Sequence, residues 1–202
     1  MEFLINTIIA AIITIIGAVP FGLVNLSVLD VSYRRGTGIA MRLSHGAAIV
    51  EVAFGLAALT AGGLIAHAIR SSPVIYYLVL AIPAMAGVWF LLKGRHRQPE
   101  DANRKPGFFR GMLLNLVSIQ VLFYWMLAMT YLLAIREFEY NLFNIVFFAT
   151  GIWLGKMGVL WLYATFSKKI FCSMGFLARN LNRVIGVVLL LTVVIQLVKQ
   201  GF

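Results

Sequence analysis

Acidic residues are scarce in this chain. Seven Asp and Glu stand against seventeen Lys and Arg in 202 residues, and charged residues make up only 12% of the whole. An average soluble domain carries about a quarter charged residues. So little charge cannot cover a water-facing surface when 61% of the residues are hydrophobic and the mean hydropathy is +0.93. Soluble enzymes, soluble binding modules, disordered chains and coiled coils are thereby excluded, and a polytopic membrane protein remains. Cysteine is nearly absent too. The single Cys172 rules out a disulfide framework and any paired-cysteine redox chemistry within the chain. Histidine is limited to His45, His67 and His96, scattered without metal-ligand spacing, so no metal site and no cofactor is expected. No residue set supports bond chemistry, and the chain is not read as an enzyme.

What is present is a series of apolar runs. A helix needs about 20 apolar residues to cross a bilayer, and six runs qualify, over about 3–29, 40–66, 73–92, 108–135, 140–166 and 182–199. The opening MEFLINTIIAAIITIIG lacks a basic leader segment and its apolar run is long, so it reads as a retained first span. Helices are the open-chain way to satisfy the backbone in lipid. The predicted fold is therefore all-α, a single transmembrane domain over 1–202 with six spans. The polar stretch 94–107 divides them into three plus three, the plan of an inverted repeat. Weak echoes between Gly22–Ser27 and Gly111–Ser118 fit that division. A basic connector over about 167–180 is expected at the membrane interface.

The net charge of +10 reads as loop charge rather than as a nucleic-acid surface. Thirteen of the seventeen bases fall in alternate loops. Arg34, Arg35 and Arg42 flank the first, and Lys93, Arg95, Arg97, Arg104, Lys105 and Arg110 the third. Lys168, Lys169, Arg179 and Arg183 belong to the fifth. Arg70, Arg136 and Lys199 lie on the other side, and Lys156 lies inside a span. The positive-inside rule then places loops one, three and five in the cytoplasm and both termini outside. Tyr76, Tyr77, Tyr131 and Tyr140 fall near the outer interface by this count, and Trp89, Trp161 and Tyr163 near the inner one.

Several residues are out of place in lipid. Pro20 interrupts span one, with Gly22 two positions on. Proline frees a carbonyl, which Asn25 can help satisfy. The reading is a broken helix with Gly22 close to another backbone, against a plain proline kink. Glu51 sits inside span two, where an ionised carboxylate costs roughly 2.5–3.5 kcal/mol by insertion scales. Ser44, Ala48, Glu51, Gly55 and Gly62 share one face of small residues, which aims Glu51 at the bundle interior. Lys156 lies inside span five, about 15 Å from the cytoplasmic end at 1.5 Å per residue. It either snorkels or serves the interior, and Gly151, Gly155 and Gly158 would bring a neighbouring helix beside it. In span four, Asn115 and Ser118 share a face while Gln120 points elsewhere. Counted from the cytoplasmic ends, Pro20, Glu51, Ser118 and Lys156 all fall about 14–15 Å deep. Transporters hold their substrates in such midplane layers on broken helices.

These residues resemble the lysine exporter (LysE/RhtB) superfamily of bacterial small-molecule exporters. The region VPFGLVNLSVLDVSYRRGTGIAMRLSHGAAIVEVAFGLAAL is similar to that family's first two spans. Gly22 matches the glycine of a Pro-Gly-Pro motif whose prolines are replaced by Phe21 and Leu23, and Asn25, Gly36 and Gly46 fit the pattern. In FFRGMLLNLVSIQVLFYW, Gly111 and Asn115 are kept, while Ser118-Ile119 stand where the family has Asn-Pro. LNRVIGVVLLLTVVIQL resembles the last span. The resemblance implies a secondary transporter exporting an amino acid or similar small metabolite across the bacterial inner membrane, coupled to protons. Glu51 would then titrate, with Lys156 its partner or a ligand for a substrate carboxylate. Pro20, Gly22 and Asn25 would form one wall, Asn115 and Ser118 the other. The expected partners are a small-molecule substrate and the bilayer, with a homodimer as an open option and no nucleic acid. The alternatives are a non-transporting membrane scaffold subunit, a metal-ion exporter of the same superfamily, and a thiol relay, which would need two intramembrane cysteines.

Overall fold

A computed structural model describes residues 2–19, 22–71 and 107–173, with nine scattered positions among 81–92 and 187–194. Apart from those positions, the expected third and sixth spans lie outside the described residues, as does the loop 94–106. The described elements are all helices: α1 (Glu2–Ala18), α2 (Leu23–Arg35), α3 (Thr37–Ser71), α4 (Phe108–Leu116), α5 (Ile119–Ile135), α6 (Leu142–Thr165) and α7 (Ser167–Ser173). Two of them, α3 and α6, are long and apolar enough to cross a membrane alone; four spans result if each bent pair, α1–α2 and α4–α5, counts as one. A bent pair followed by a long helix thus occurs twice in the chain.

Span one is broken. The axes of α1 and α2 diverge by 78°. Pro20 itself lies outside the described residues, but the groups on either side show how the break is satisfied. The Ala18 carbonyl accepts from Asn25 Nδ2 at 2.5 Å and the Val19 carbonyl from the Tyr163 hydroxyl at 2.7 Å. A carbonyl left over at a helix end would otherwise be stranded away from water. Tyr163, expected near the inner interface, is instead 8% exposed and reaches this break. The helix also outlasts the expected boundary near Asp30, running on to Arg35, with Arg34 Nε paired to Asp30 Oδ1 on an exposed face at 2.6 Å. Gly36 ends it with φ +91°, the single positive-φ residue described. Only glycine adopts that angle without strain, and it lets α3 start one residue later.

Span four is not the continuous helix expected over 108–135. The axes of its two halves diverge by 66°, and no proline is needed. Ser118 takes φ −79° and ψ 70°, outside the helical region. Its hydroxyl donates to the Leu114 carbonyl at 2.7 Å, its amide to the Asn115 carbonyl at 3.0 Å, and the Val117 amide to the Leu113 carbonyl at 3.0 Å. The carbonyls of Leu113, Leu114 and Asn115 at the end of α4 therefore find partners at the break. Serine back-bonding of this kind competes with the helical ladder and bends helices.

Two apolar clusters pack the bundle. One joins α2 to the first part of α3 (Ala40, Leu43, Ala47) and the last part of α6 (Val159, Leu160, Tyr163, Ala164). The other joins α1 and α5 to the later part of α3 (Ala58, Leu59) and the early part of α6 (Phe148, Ile152). The order reverses between α3 and α6, so the two helices run antiparallel. Glu51 on α3 and Lys156 on α6 fall in the gap between the clusters.

Glycines set the closest approaches, as lipid-embedded packing favours. A Cβ at Gly111 on α4 would overlap the Leu43 carbonyl of α3, and one at Gly46 would overlap the Phe108 carbonyl. A Cβ at Gly155 would lie 2.7 Å from the Ala11 carbonyl of α1. Gly158, expected to help here, has open space beside it. Gly22 is also roomier than expected. Its nearest neighbour is the Gln120 Nε2 side-chain atom at 3.4 Å, not another backbone, and its φ of −104° suits any residue. Gly111→Ala is therefore expected to lose about 1–3 kcal/mol or more through forced backbone separation. Gly22→Ala should stay close to wild type, and thermal unfolding in detergent compares the two. Equal losses would show that the α3–α4 contact is not limiting.

Candidate functional site

The Glu51 side chain is 2% exposed, on the buried face that also carries Ser44, Ala48, Gly55 and Gly62. Both oxygens of its carboxylate are engaged. Oε2 lies 3.0 Å from Lys156 Nζ and accepts from Asn115 Nδ2 at 2.9 Å, while Oε1 accepts from Trp125 Nε1 at 3.0 Å. Lys156 is 3% exposed and does not snorkel. Each charge thus has an opposite partner, and the carboxylate has two further hydrogen bonds, the condition under which buried ions are tolerated.

Asn115 links the pair to the backbone. Its amide nitrogen also donates to the Ala47 carbonyl at 2.7 Å. Its Oδ1 is buried and, among the described residues, is the side-chain polar atom with no hydrogen-bond partner. Asn115 is 0% exposed, and a buried orphan acceptor of this kind calls for an occupant.

A cavity of about 130 Å³ opens beside these groups. It is well above the roughly 10–15 Å³ that a single water needs. The end of α1 (Ile16, Gly17, Ala18), the start of α2 (Gly22 to Asn25) and the start of α5 (Ser118, Gln120, Val121, Tyr124) surround it, and Glu51, Asn115 and Lys156 complete the wall. Both helix starts lack a side-chain cap. A helix start carries about half a positive charge from its unpaired amides, so two partial positive ends meet at one cavity beside a neutralised ion pair.

Of the residues singled out from sequence, Gly22, Asn25, Glu51, Asn115, Ser118 and Lys156 line this single cavity. Pro20 lies outside the described residues. Gln120, expected to point elsewhere, lines it as well, because the break at Ser118 resets the helical phase between Asn115 and Gln120. Trp125 and Tyr124 were not anticipated. Trp125 is 0% exposed, and a buried indole N–H needs an acceptor. A tryptophan in mid-span, far from both interfaces, was the signal available. Tyr124 donates to the Ile13 carbonyl of α1 at 2.5 Å and so joins α5 to the broken span. Among the described residues no three His, Cys, Asp or Glu side chains converge as a metal site would require.

Compared with curated proteins and with solved structures, the chain has no significant match. The family model described as LysE type translocator matches residues 15–201, a stretch that contains every residue of the cavity wall, and the chain belongs to that family of polytopic membrane proteins.

Proposed function

We propose that this chain is a secondary transporter that exports an amino acid or a similar small metabolite across the bacterial cytoplasmic membrane, coupled to protons. The observation that carries this reading is the buried Glu51–Lys156 pair, which lines a cavity between two broken spans. An intramembrane charge pair at broken helices is the usual setting for a substrate or ion pathway. In this reading Gly22, Asn25 and the neighbouring Pro20 form one wall, Asn115 and Ser118 the other, and Glu51 is the group that exchanges protons during transport. The repeated order of bent pair and long helix supports an inverted repeat.

The test is flux in proteoliposomes under an imposed pH gradient, with substrates chosen by a thermal-shift screen of amino acids and metabolites. Wild type is expected to respond to the gradient, and Glu51→Gln, normalised to folded protein, to lose that response. A Glu51→Gln variant that still responds to the gradient would remove Glu51 from the coupling step.

Orientation is tested separately. In a Cys172→Ser background, a cysteine at position 98 is expected to be labelled only from the cytoplasmic side, and one in a C-terminal extension only from outside. Labelling of both from the same side would sink the proposed topology and the inverted repeat with it.

A further inference from the structure

The cavity holds one acid, Glu51, and one base, Lys156, among the described residues, and the two are already paired. Glu51 accepts from Lys156 and Asn115 through Oε2 and from Trp125 through Oε1. A cation entering from outside meets a carboxylate whose charge Lys156 already neutralises, and can take the place beside Oε2 only by displacing Lys156. The displaced ammonium, 3% exposed, would then lose its counter-ion in a low-dielectric layer. The starts of α2 and α5 add positive ends to the same cavity. What the cavity leaves unspent is the opposite of a cation seat: uncapped helix starts that suit an anionic group, beside a lysine whose charge is already matched.

We propose that Lys156 is a built-in cation that sets the charge selectivity of this cavity. It occupies the place beside Glu51 that a substrate's side-chain ammonium would take. The cavity therefore admits small zwitterions or anions with uncharged side chains and rejects solutes carrying an extra positive charge, lysine itself included. In such a complex the solute's carboxylate faces the start of α2. The assignment of the cavity to a transported solute rests on the transporter reading above. The charge selectivity is a property of the cavity and is tested without flux.

Replacing Lys156 by alanine removes the atoms of an n-propylammonium ion and leaves Glu51 with its two other donors. In the purified full-length protein, n-propylammonium is expected to raise the Tm of Lys156→Ala and leave wild type unmoved. The neutral isostere n-propanol should have no such effect, and Glu51→Gln/Lys156→Ala should lose the response. Lysine is expected to bind Lys156→Ala at least about tenfold more tightly than wild type, the scale on which relief of like-charge repulsion acts. Recovery of folded Lys156→Ala only when the amine is present during purification is the same result in stronger form. If Lys156→Ala cannot be recovered at all, Lys156→Gln takes its place, with the gain of lysine binding as readout. Equal responses of wild type and variant, equal effects of amine and alcohol, or a Lys156→Gln protein that still ignores lysine would overturn the proposal. Amine rescue in a protein that shows no flux for any solute would sink the transporter reading and leave the charge assignment standing.

Discussion

Lys156→Met is expected to lose about 3–5 kcal/mol of stability, the scale seen when one partner of a buried ion pair is removed. Methionine nearly preserves the length and volume of the lysine stem, so little of the loss is a packing defect. What remains is the Glu51 carboxylate, 2% exposed, with Asn115 and Trp125 as donors but no counter-charge. Glu51→Gln strands the lysine in the same way. Here the remaining partner is worse off, because its Nζ has Glu51 Oε2 at 3.0 Å as its ion-pair acceptor.

The double variant Glu51→Gln/Lys156→Met decides what the pair is for. With both charges gone, the glutamine oxygen still accepts from Trp125 or Asn115 and no ion is stranded. Neighbours in direct contact couple by roughly 0.5–3 kcal/mol in such cycles. Replacing both partners of a buried pair is often nearly neutral, so the double variant is expected close to wild type in Tm. It should be far less destabilised than the sum of two losses of about 3–5 kcal/mol, with an interaction energy above that usual range. Its flux response to a pH gradient should nevertheless be lost. A fold that does not need the pair, in a protein whose coupling does, would identify the pair as functional. Additive singles in reversible unfolding would show instead that the two charges do not sense each other.

Much of this arrangement was legible in the amino-acid sequence for a simple reason. A charge or a side-chain amide inside a 20-residue apolar run has few tolerable positions. Glu51 was aimed at the interior, Lys156 had either to snorkel or to join it, and similar depths along separate spans put Glu51, Lys156 and Ser118, three residues beyond Asn115, in one layer. The small-residue face around Glu51 fixed its direction, and Ser44, Ala48, Gly55 and Gly62 are all buried with it. What could not be read was whatever depends on a break of unknown angle. The bend at Ser118 carries no proline, and it moves Gln120 onto the wall that a continuous helix would have turned it away from. Gly22 shows the reverse error. A glycine beside a proline suggested a tight backbone approach, whereas the 78° bend opens space there and the close approaches fall at Gly46, Gly111, Gly151 and Gly155. Tyr163 followed interface statistics in the sequence reading. In the fold, the unsatisfied Val19 carbonyl outweighs them and draws its hydroxyl inward.

Trp125 offers a way to separate packing from charge at the same site. Its ring is 0% exposed, edge-on to Tyr124 and Phe148 at centroid distances of 6.1 and 6.5 Å, and it fills the space beside Gly55, while its Nε1 holds Glu51 Oε1. Trp125→Ala removes both contributions and is expected to cost about 3–5 kcal/mol, the range for deleting a large buried aromatic. Trp125→Phe keeps most of the ring but not the donor, and hydrogen bonds to charged groups contribute about 1.5–3 kcal/mol. It should lose that smaller amount in wild type. In the Glu51→Gln/Lys156→Met background no charge depends on the indole, so the same change should cost clearly less. Trp125→Ala, whose cost is mostly steric, should cost nearly the same in both backgrounds. If Trp125→Phe is as harmful without the ion pair as with it, the indole supports the bundle by shape alone, and the carboxylate is held by Lys156 and Asn115.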